Sequence, residues 1–339
     1  MTQRFLVSIG ALAAIMCVAP VAAQAQTATA KPKTSSSIPR TPDGHPDLQG
    51  VWTNATITTM ERPSAFANKP TLSDAEAKAY EQKSQKELND QDGASDGPLI
   101  AAAGSSGTGG YNVLFVDRGS ELARVDGVKR TSLVVDPTDG KVPPMLPEAR
   151  QRNSERMRTR GFNRYDNVKD RPTSERCLIG FGSTSGPPMM PVLYNNNYQI
   201  VQTPEAVMIL VEMVHDVRVI RMNGTHEPSN IKKWLGDSIG RWEGDTLVVE
   251  TTNFREDNLF RGASENLKVI ERFQRLDPTT ILYRATIDDP STWSRQWTME
   301  FPFVATSGPV YEYACHEGNY AMPDILGGAR KMESEPTKK

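Results

Sequence analysis

The residue types that carry most metal and nucleophile chemistry are scarce here, since the chain has three Cys and four His among 339 residues. No CxxC, HxH or HExxH spacing occurs, so the sequence has no zinc-finger or zinc-protease signature. No nucleophile elbow between a strand and a helix, the usual mark of a serine hydrolase, is predicted either. The Gly-rich stretch at 104–110 lacks the Lys of a phosphate-binding loop.

An excess of charge of either sign is absent as well, because 39 Lys and Arg balance 41 Asp and Glu. The two signs are interspersed, which excludes the basic footprint of a nucleic-acid-binding protein and a polybasic membrane patch. Beyond residue 25, no apolar run is long enough to span a bilayer. A small molecule or another protein is therefore the expected partner, and no pattern indicates an oligomeric state.

The first 25 residues have the three regions of a secretory signal peptide: Arg4, an apolar run at 5–21 and the small-x-small end at 23–25. We expect cleavage near Ala25 and a periplasmic or secreted protein. Residues 26–40 are mostly Thr, Ala, Ser, Lys and Pro, which predicts a disordered leader.

Removal of this segment leaves two cysteines, Cys177 and Cys315, in a compartment where thiols oxidise. The simple interpretation is a disulfide between them. A metal-binding pair and a nucleophilic thiol are the alternatives.

Apolar and polar residues alternate through much of the chain, best seen in the hairpin at 241–252 with its Gly244-Asp245 turn. About ten such strands, the last at Val310–Tyr313, predict a mainly β domain over 41–330, an antiparallel meander forming a lipocalin-like barrel or sandwich. We expect Trp52 to plug its closed end. Peripheral helices are predicted at 73–88, with a Ser73/Glu76 capping box, and at 147–158. Long loops are predicted within the domain at 92–110 and 150–176, and a polar tail at 331–339 follows it.

Four motifs, PDGHPDLQGVW at 42–52, ERCL at 175–178, WEGDTLVVETTNF at 242–254 and YEYACHEGNY at 311–320, are distributed along nearly all of the mature chain. As a set they resemble a family of exported bacterial proteins of uncharacterised function. The resemblance implies export and one domain, and no particular activity. The meander is also similar to lipocalin barrels, whose cavities hold small apolar or aromatic ligands and in some cases catalyse proton transfer. That similarity concerns the fold, and a fold does not imply a function.

Two histidines stand beside carboxylates, His215 beside Asp216 and His316 beside Glu317. A neutral imidazole with a nearby carboxylate is suited to general acid/base catalysis near pH 7. We therefore predict these four residues as catalytic, with the histidines as proton carriers. A structural role for each histidine is the alternative. No cofactor is predicted, although His215, His316 and one of the two carboxylates would make a three-ligand metal site.

Five further residues are predicted to bind the substrate. Three adjacent asparagines at 195–197 are costly in a strand unless their side chains are hydrogen-bonded in a polar cavity. We therefore predict that Asn196, the middle one, binds the substrate. An arginine in a loop, Arg261, suits a carboxylate or phenolate. Tyr194, Asn253 and Trp293 supply polar and aromatic walls, with core packing as the alternative for the tryptophan.

These patterns together predict an exported β-barrel enzyme that performs a lyase, isomerase or hydrolase step on a small aromatic or hydrophobic substrate. A non-catalytic periplasmic carrier or sensor would use the same cavity for binding alone. The third hypothesis is a structural protein of the cell envelope.

Overall fold

The computed structural model describes residues 38–93, 116–159 and 164–335. The predicted signal peptide and the leader up to residue 37 lie outside these residues, as do residues 94–110 of the first predicted loop. The cleavage site and the disordered leader therefore stay predictions.

The described residues form thirteen strands and three α-helices. In chain order the strands are β1 (Gly50–Thr53), β2 (Thr71–Leu72), β3 (Arg124–Val125), β4 (Val128–Arg130), β5 (Val134–Asp136), β6 (Asn197–Gln202), β7 (Ala206–Val211), β8 (Val217–Met222), β9 (Asp237–Glu243), β10 (Thr246–Thr252), β11 (Lys268–Asp277), β12 (Thr280–Asp288) and β13 (Trp297–Ala305). The helices are α1 (Asp74–Gly93), α2 (Pro147–Thr159) and α3 (Ala321–Ser334).

Nine of these strands close into a barrel in the order β1, β6 to β13, and back to β1. Closure depends on Trp52, which is paired with Tyr198 on one side and with Ala305 on the other. The prediction of a mainly β barrel with a few short helices is confirmed. Eight of the nine junctions are antiparallel, and the pair β8–β9 is parallel. This nine-stranded mixed order differs from the eight-stranded up-and-down barrel of lipocalins.

The alternation in the sequence sets which side chains face inward. In β7 the residues Val207, Ile209 and Val211 are buried, while the side chains between them face outward. The β9–β10 hairpin is closed by a two-residue turn, because Glu243 pairs directly with Thr246. Gly244 in this turn has a φ of +59°, which glycine adopts without steric cost.

The two ends of the barrel differ in how they are closed. At the "hairpin end" the strands are joined by short turns at 203–205, 244–245 and 278–279. There Trp52 is 1% exposed and donates from Nε1 to the carbonyl of Leu48 at 3.0 Å. The Arg275 guanidinium lies 5.1 Å from the Trp52 ring centre and donates to the carbonyls of Asp47 and Pro278. A tryptophan therefore plugs this end, as the sequence predicts.

At the opposite, "pocket end", residues 172–192 lie across the barrel and are called the covering segment. Inward-facing barrel residues hold it: Tyr283 Oη accepts from the Met189 N–H at 3.0 Å, and Tyr198 Oη donates to the Thr184 carbonyl at 3.0 Å. The interior of the barrel is thus filled from this end by chain that is not a strand.

One predicted strand, Val310–Tyr313, is wrong. Residues 306–320 form an irregular "strap", because the Tyr311 N–H bonds to the Glu212 carboxylate at 3.1 Å instead of to a neighbouring strand. The strap reaches the covering segment, where Cys177 and Cys315 lie at disulfide distance with Cα atoms 5.7 Å apart. The predicted pairing of the two cysteines is confirmed.

The helices lie outside the barrel wall. Ser73 and Glu76 exchange the hydrogen bonds of a capping box at the start of α1, as predicted. The predicted loop at 150–176 begins within α2, and the predicted tail begins within α3. None of the described helices is long and apolar enough to cross a membrane.

Candidate functional site

The pocket end contains a cavity of about 580 Å³, called the end cavity. The covering segment forms one wall, the loop after β10 forms another, and Met60 and Leu235 complete it. The lining residues are Met60, Pro172, Thr173, Ser174, Ile179, Gly180, Phe181, Gly182, Ser183, Ser185, Gly186, Pro187, Met190, Pro191, Val192, Leu235, Phe254, Asn258, Leu259, Phe260 and Arg261. A volume of this size is typical of small-molecule sites.

The sequence of the covering segment explains its irregular path. Gly182 has a φ of +64°, and a Cβ at this position would meet Val192 at 2.6 Å, so only glycine fits. The next residue, Ser183, also has a positive φ of 62°. Buried Asn196 fastens the far end of the segment, because its Nδ2 donates to the Val192 carbonyl at 3.0 Å and its Oδ1 accepts from the Val192 N–H at 2.8 Å. The structure therefore places the predicted substrate ligand Asn196 in a supporting role behind the wall.

A carboxyl group stands directly behind this wall. Asp216 accepts hydrogen bonds from the Ser185 hydroxyl and from the Gly180 N–H, the latter at 3.1 Å, and both donors line the end cavity. Burial raises the pKa of Asp216, although the hydrogen bonds from Ser185 and Gly180 and the charge of His215 act in the opposite direction. A carboxyl group with a raised pKa beside a cavity is a candidate proton acceptor.

An unpaired cation lies at the edge of the same cavity. Arg261 lines it and also an adjoining depression near α2. The residue is exposed and has a positive φ of 49°, a conformation that costs energy for a side chain other than glycine. Within the described part of the chain its guanidinium has no hydrogen-bond or ion-pair partner. Arg261 thus lies beside the end cavity, and no described residue bonds its guanidinium.

The two histidines have different surroundings. Exposed His215 follows β7, and its Nδ1 lies 3.0 Å from the carbonyl of Tyr313 in the strap. His316 and Glu317 are exposed on the strap itself. None of these three residues belongs to the described lining of the end cavity. The structure therefore brings only Asp216, of the four predicted catalytic residues, against this cavity.

The other predicted substrate ligands border the cavity or support it. Tyr194 packs edge-on against Phe181 of the lining, with ring centres 5.5 Å apart. Asn253 has a φ of +58° and donates from Nδ2 to the Glu227 carbonyl at 2.9 Å. Trp293 is buried against Trp297, with ring centres 5.7 Å apart, which is core packing.

A buried ion pair fills part of the barrel interior and is not apparent from the sequence. Arg218 and Glu271 are almost fully buried and are joined by two hydrogen bonds of 3.0 and 2.6 Å. Tyr283 Oη donates to the same carboxylate at 2.8 Å, and burial raises the pKa of this tyrosine. Because strand residues alternate, Arg218 points inward while the adjacent Val217 faces outward. The one signal in the sequence is that the alternation of β8 places a charged residue, Arg218, at an inward-facing position, where it needs a partner.

Asp237, at the start of β9, is the centre of an outer charge cluster. It accepts from Lys233 at 2.8 Å, from the Glu227 N–H at 3.0 Å and from Arg221 at 2.9 Å, and His226 Nδ1 lies 3.1 Å away. Burial opposes ionisation, yet the hydrogen bonds lower the pKa of Asp237 to about 2. This carboxylate is fully bonded and is a structural group.

Over residues 38–93, 116–159 and 164–335, no three His, Cys, Asp or Glu side chains are arranged to hold a metal ion. No protein-family model, curated protein or solved structure matches the chain. The assignment of a function therefore depends on the geometry of the end cavity.

Proposed function

We propose that this protein binds a small, mostly apolar or aromatic molecule bearing a carboxylate or phenolate in the end cavity. The observation that carries the proposal is a cavity of about 580 Å³ with aromatic and aliphatic walls and, at its edge, an arginine that no described residue pairs with. Sites for small molecules usually combine apolar walls with a few polar groups that orient the ligand.

The apolar part of the ligand would contact Phe181, Phe254 and Phe260, which lie on two sides of the cavity. Its anionic group would bind Arg261, whose planar guanidinium donates two parallel hydrogen bonds to a carboxylate. Since Arg261 has no internal partner among the described residues, it can bind a ligand without breaking an existing ion pair.

The acid/base activity would use Asp216 as the final proton acceptor. The ligand would give a proton to Ser185 Oγ while the Ser185 hydroxyl proton moves to Asp216, so that the serine stays neutral. The raised pKa of Asp216 supports this role, because a base works best when its pKa approaches the working pH. A lyase, isomerase or hydrolase step remains the proposed reaction class. In this proposal the charge of His215 acts to lower the pKa of Asp216. Roles for His316 and Glu317, and export to the periplasm, stay proposals that rest on the sequence.

The binding proposal is tested with 1-anilinonaphthalene-8-sulfonate, an aromatic monoanion whose fluorescence rises in an apolar site. We expect Arg261→Gln to weaken its binding about tenfold, because a charge-assisted hydrogen bond contributes about 1.5 kcal/mol. The matched control is Arg241→Gln, since Arg241 is an exposed arginine of β9 that pairs with Glu243. Equal affinities of the two variants, or no binding by the wild-type protein, would refute the proposal.

A further inference from the structure

A second cavity, called the side cleft, opens through the barrel wall between β8 and β9. Its volume is about 500 Å³. The parallel pairing of these strands begins only at Ile220 and Ser238 and continues to Met222 and Gly240. Residues 217–219 of β8 therefore have no strand partner on this side among the described residues, and the wall is open there.

A buried donor of the barrel interior belongs to a residue that lines this opening. Arg218 lines the side cleft although its side chain is only 1% exposed. Its two terminal nitrogens bind Glu271, whereas its buried Nε–H has no hydrogen-bond partner among the described residues. A buried donor without a partner lowers stability, so a ligand oxygen that accepts a hydrogen bond from it gains affinity.

Charged side chains of both signs line the side cleft, and one of them, Arg218, is paired with buried Glu271. Three cations line it, Arg218, Arg221 and Lys233, against two carboxylates, Asp216 and Asp237. Both Arg221 and Lys233 bind Asp237, which neutralises that carboxylate. The Asp216 carboxylate accepts from Ser185 and from the Gly180 N–H, which both line the end cavity.

The remaining walls are apolar, with Val219 and Trp234 among them. Val219 is 54% exposed and presents apolar surface to the cleft. Ile179 and Leu235 contribute to both the side cleft and the end cavity. These two side chains separate the two sites.

We propose that the side cleft is a second binding site, for a small carboxylate with an apolar body, anchored by the Nε–H of Arg218. The ligand's carboxylate would accept from this donor, and its apolar body would cover Val219 and Trp234. This site is independent of the ligand proposed for the end cavity.

Binding of 4-fluorobenzoate, followed by ¹⁹F NMR, tests this site. The measurement uses the Arg261→Gln variant, in which anion binding to the end cavity is weakened. We expect Val219→Trp to weaken the remaining affinity about tenfold, because the indole fills the cleft. The control Val201→Trp adds the same group to an outer face of β6, where the valine is 38% exposed and lies outside the cleft. Equal affinities of the two tryptophan variants, or no binding in the Arg261→Gln background, would overturn the proposal.

Two further measurements test the anchor and the ligand class. Arg218→Lys keeps a positive charge beside Glu271 but removes the Nε–H, so we expect about tenfold weaker binding in folded protein. If this variant does not fold, the comparison of the two tryptophan variants still decides. The neutral 4-fluorobenzamide should bind about tenfold more weakly than the benzoate, and equal binding would refute recognition of a carboxylate.

Discussion

The hairpin end and the pocket end of the barrel are built by different means. At the hairpin end the turns are short and regular, and Trp52 and Arg275 fill the opening with bonded groups. At the pocket end, residues with unfavourable positive φ are concentrated, including Val214, a β-branched residue with a φ of 59°. The covering segment leaves a cavity there. The comparison indicates that one end maintains the fold, while strained backbone at the other end surrounds a cavity.

The motifs follow the same division. The PDGHPD and WEGDT motifs meet at the hairpin end, where Arg40 binds both oxygens of Asp245 at 2.9 and 2.6 Å. His45 stacks on Trp242 there, with ring centres 4.6 Å apart. These two motifs thus fasten the segment before β1 to the β9–β10 hairpin, and this explains them without a catalytic role.

Among the substitutions that test this comparison, Trp52→Ala at the hairpin end should change the free energy of unfolding most. Loss of a buried tryptophan should lower the free energy of unfolding by about 3 to 5 kcal/mol, because it leaves a cavity and removes a hydrogen bond. Urea denaturation measures this loss. The folded variant should bind 1-anilinonaphthalene-8-sulfonate with unchanged affinity.

Val201→Ala serves as the control for that substitution, since Val201 is on the outer face and should contribute little. Two results would contradict the different roles assigned to the two ends. One is a loss of unfolding free energy below about 1 kcal/mol for Trp52→Ala, and the other is weaker binding of 1-anilinonaphthalene-8-sulfonate by its folded form.

At the pocket end, Asp216→Asn should change the free energy of unfolding less than Trp52→Ala does, and in the opposite direction. Burial raises the folded pKa of Asp216 above its unfolded value of about 3.9, so the folded state binds the proton more tightly. Wild-type stability therefore falls as pH rises from the unfolded pKa through the folded pKa. At pH 7 the variant should be as stable as the wild type or more stable, by up to about 1 kcal/mol, and should have no acid/base activity.

Asp237→Asn is the matched control, because the pKa of Asp237 is lowered to about 2. That carboxylate contributes stability above its unfolded pKa, and the contribution disappears as pH falls toward 2. The control should lose about 2 kcal/mol at pH 7. A loss of similar size for Asp216→Asn would make Asp216 a structural residue and contradict its assignment to the site.

The hairpin end could be predicted from the sequence because its determinants are local. The Gly244-Asp245 turn and the strand β10 each depend on neighbouring residues, and both are confirmed. The pairing of Cys177 with Cys315 was also predictable, since only two cysteines follow the signal segment.

The pocket end was less predictable because its contacts join distant parts of the chain. Asp216 was identified by its neighbour His215, yet its hydrogen-bond partner Ser185 lies 31 residues earlier in a segment without a signature. The pair Arg218–Glu271 spans 53 residues and two strands. The parallel step between β8 and β9, which opens the side cleft, interrupts a pattern that otherwise predicts hairpins.

Hydrogen–deuterium exchange with and without saturating 1-anilinonaphthalene-8-sulfonate tests the division between the two ends most directly. The account predicts slower exchange in residues 177–192 and 254–262, and no change in the turns at 203–205, 244–245 and 278–279. Protection of these turns, or no protection at 177–192 and 254–262 while the probe is bound, would contradict it.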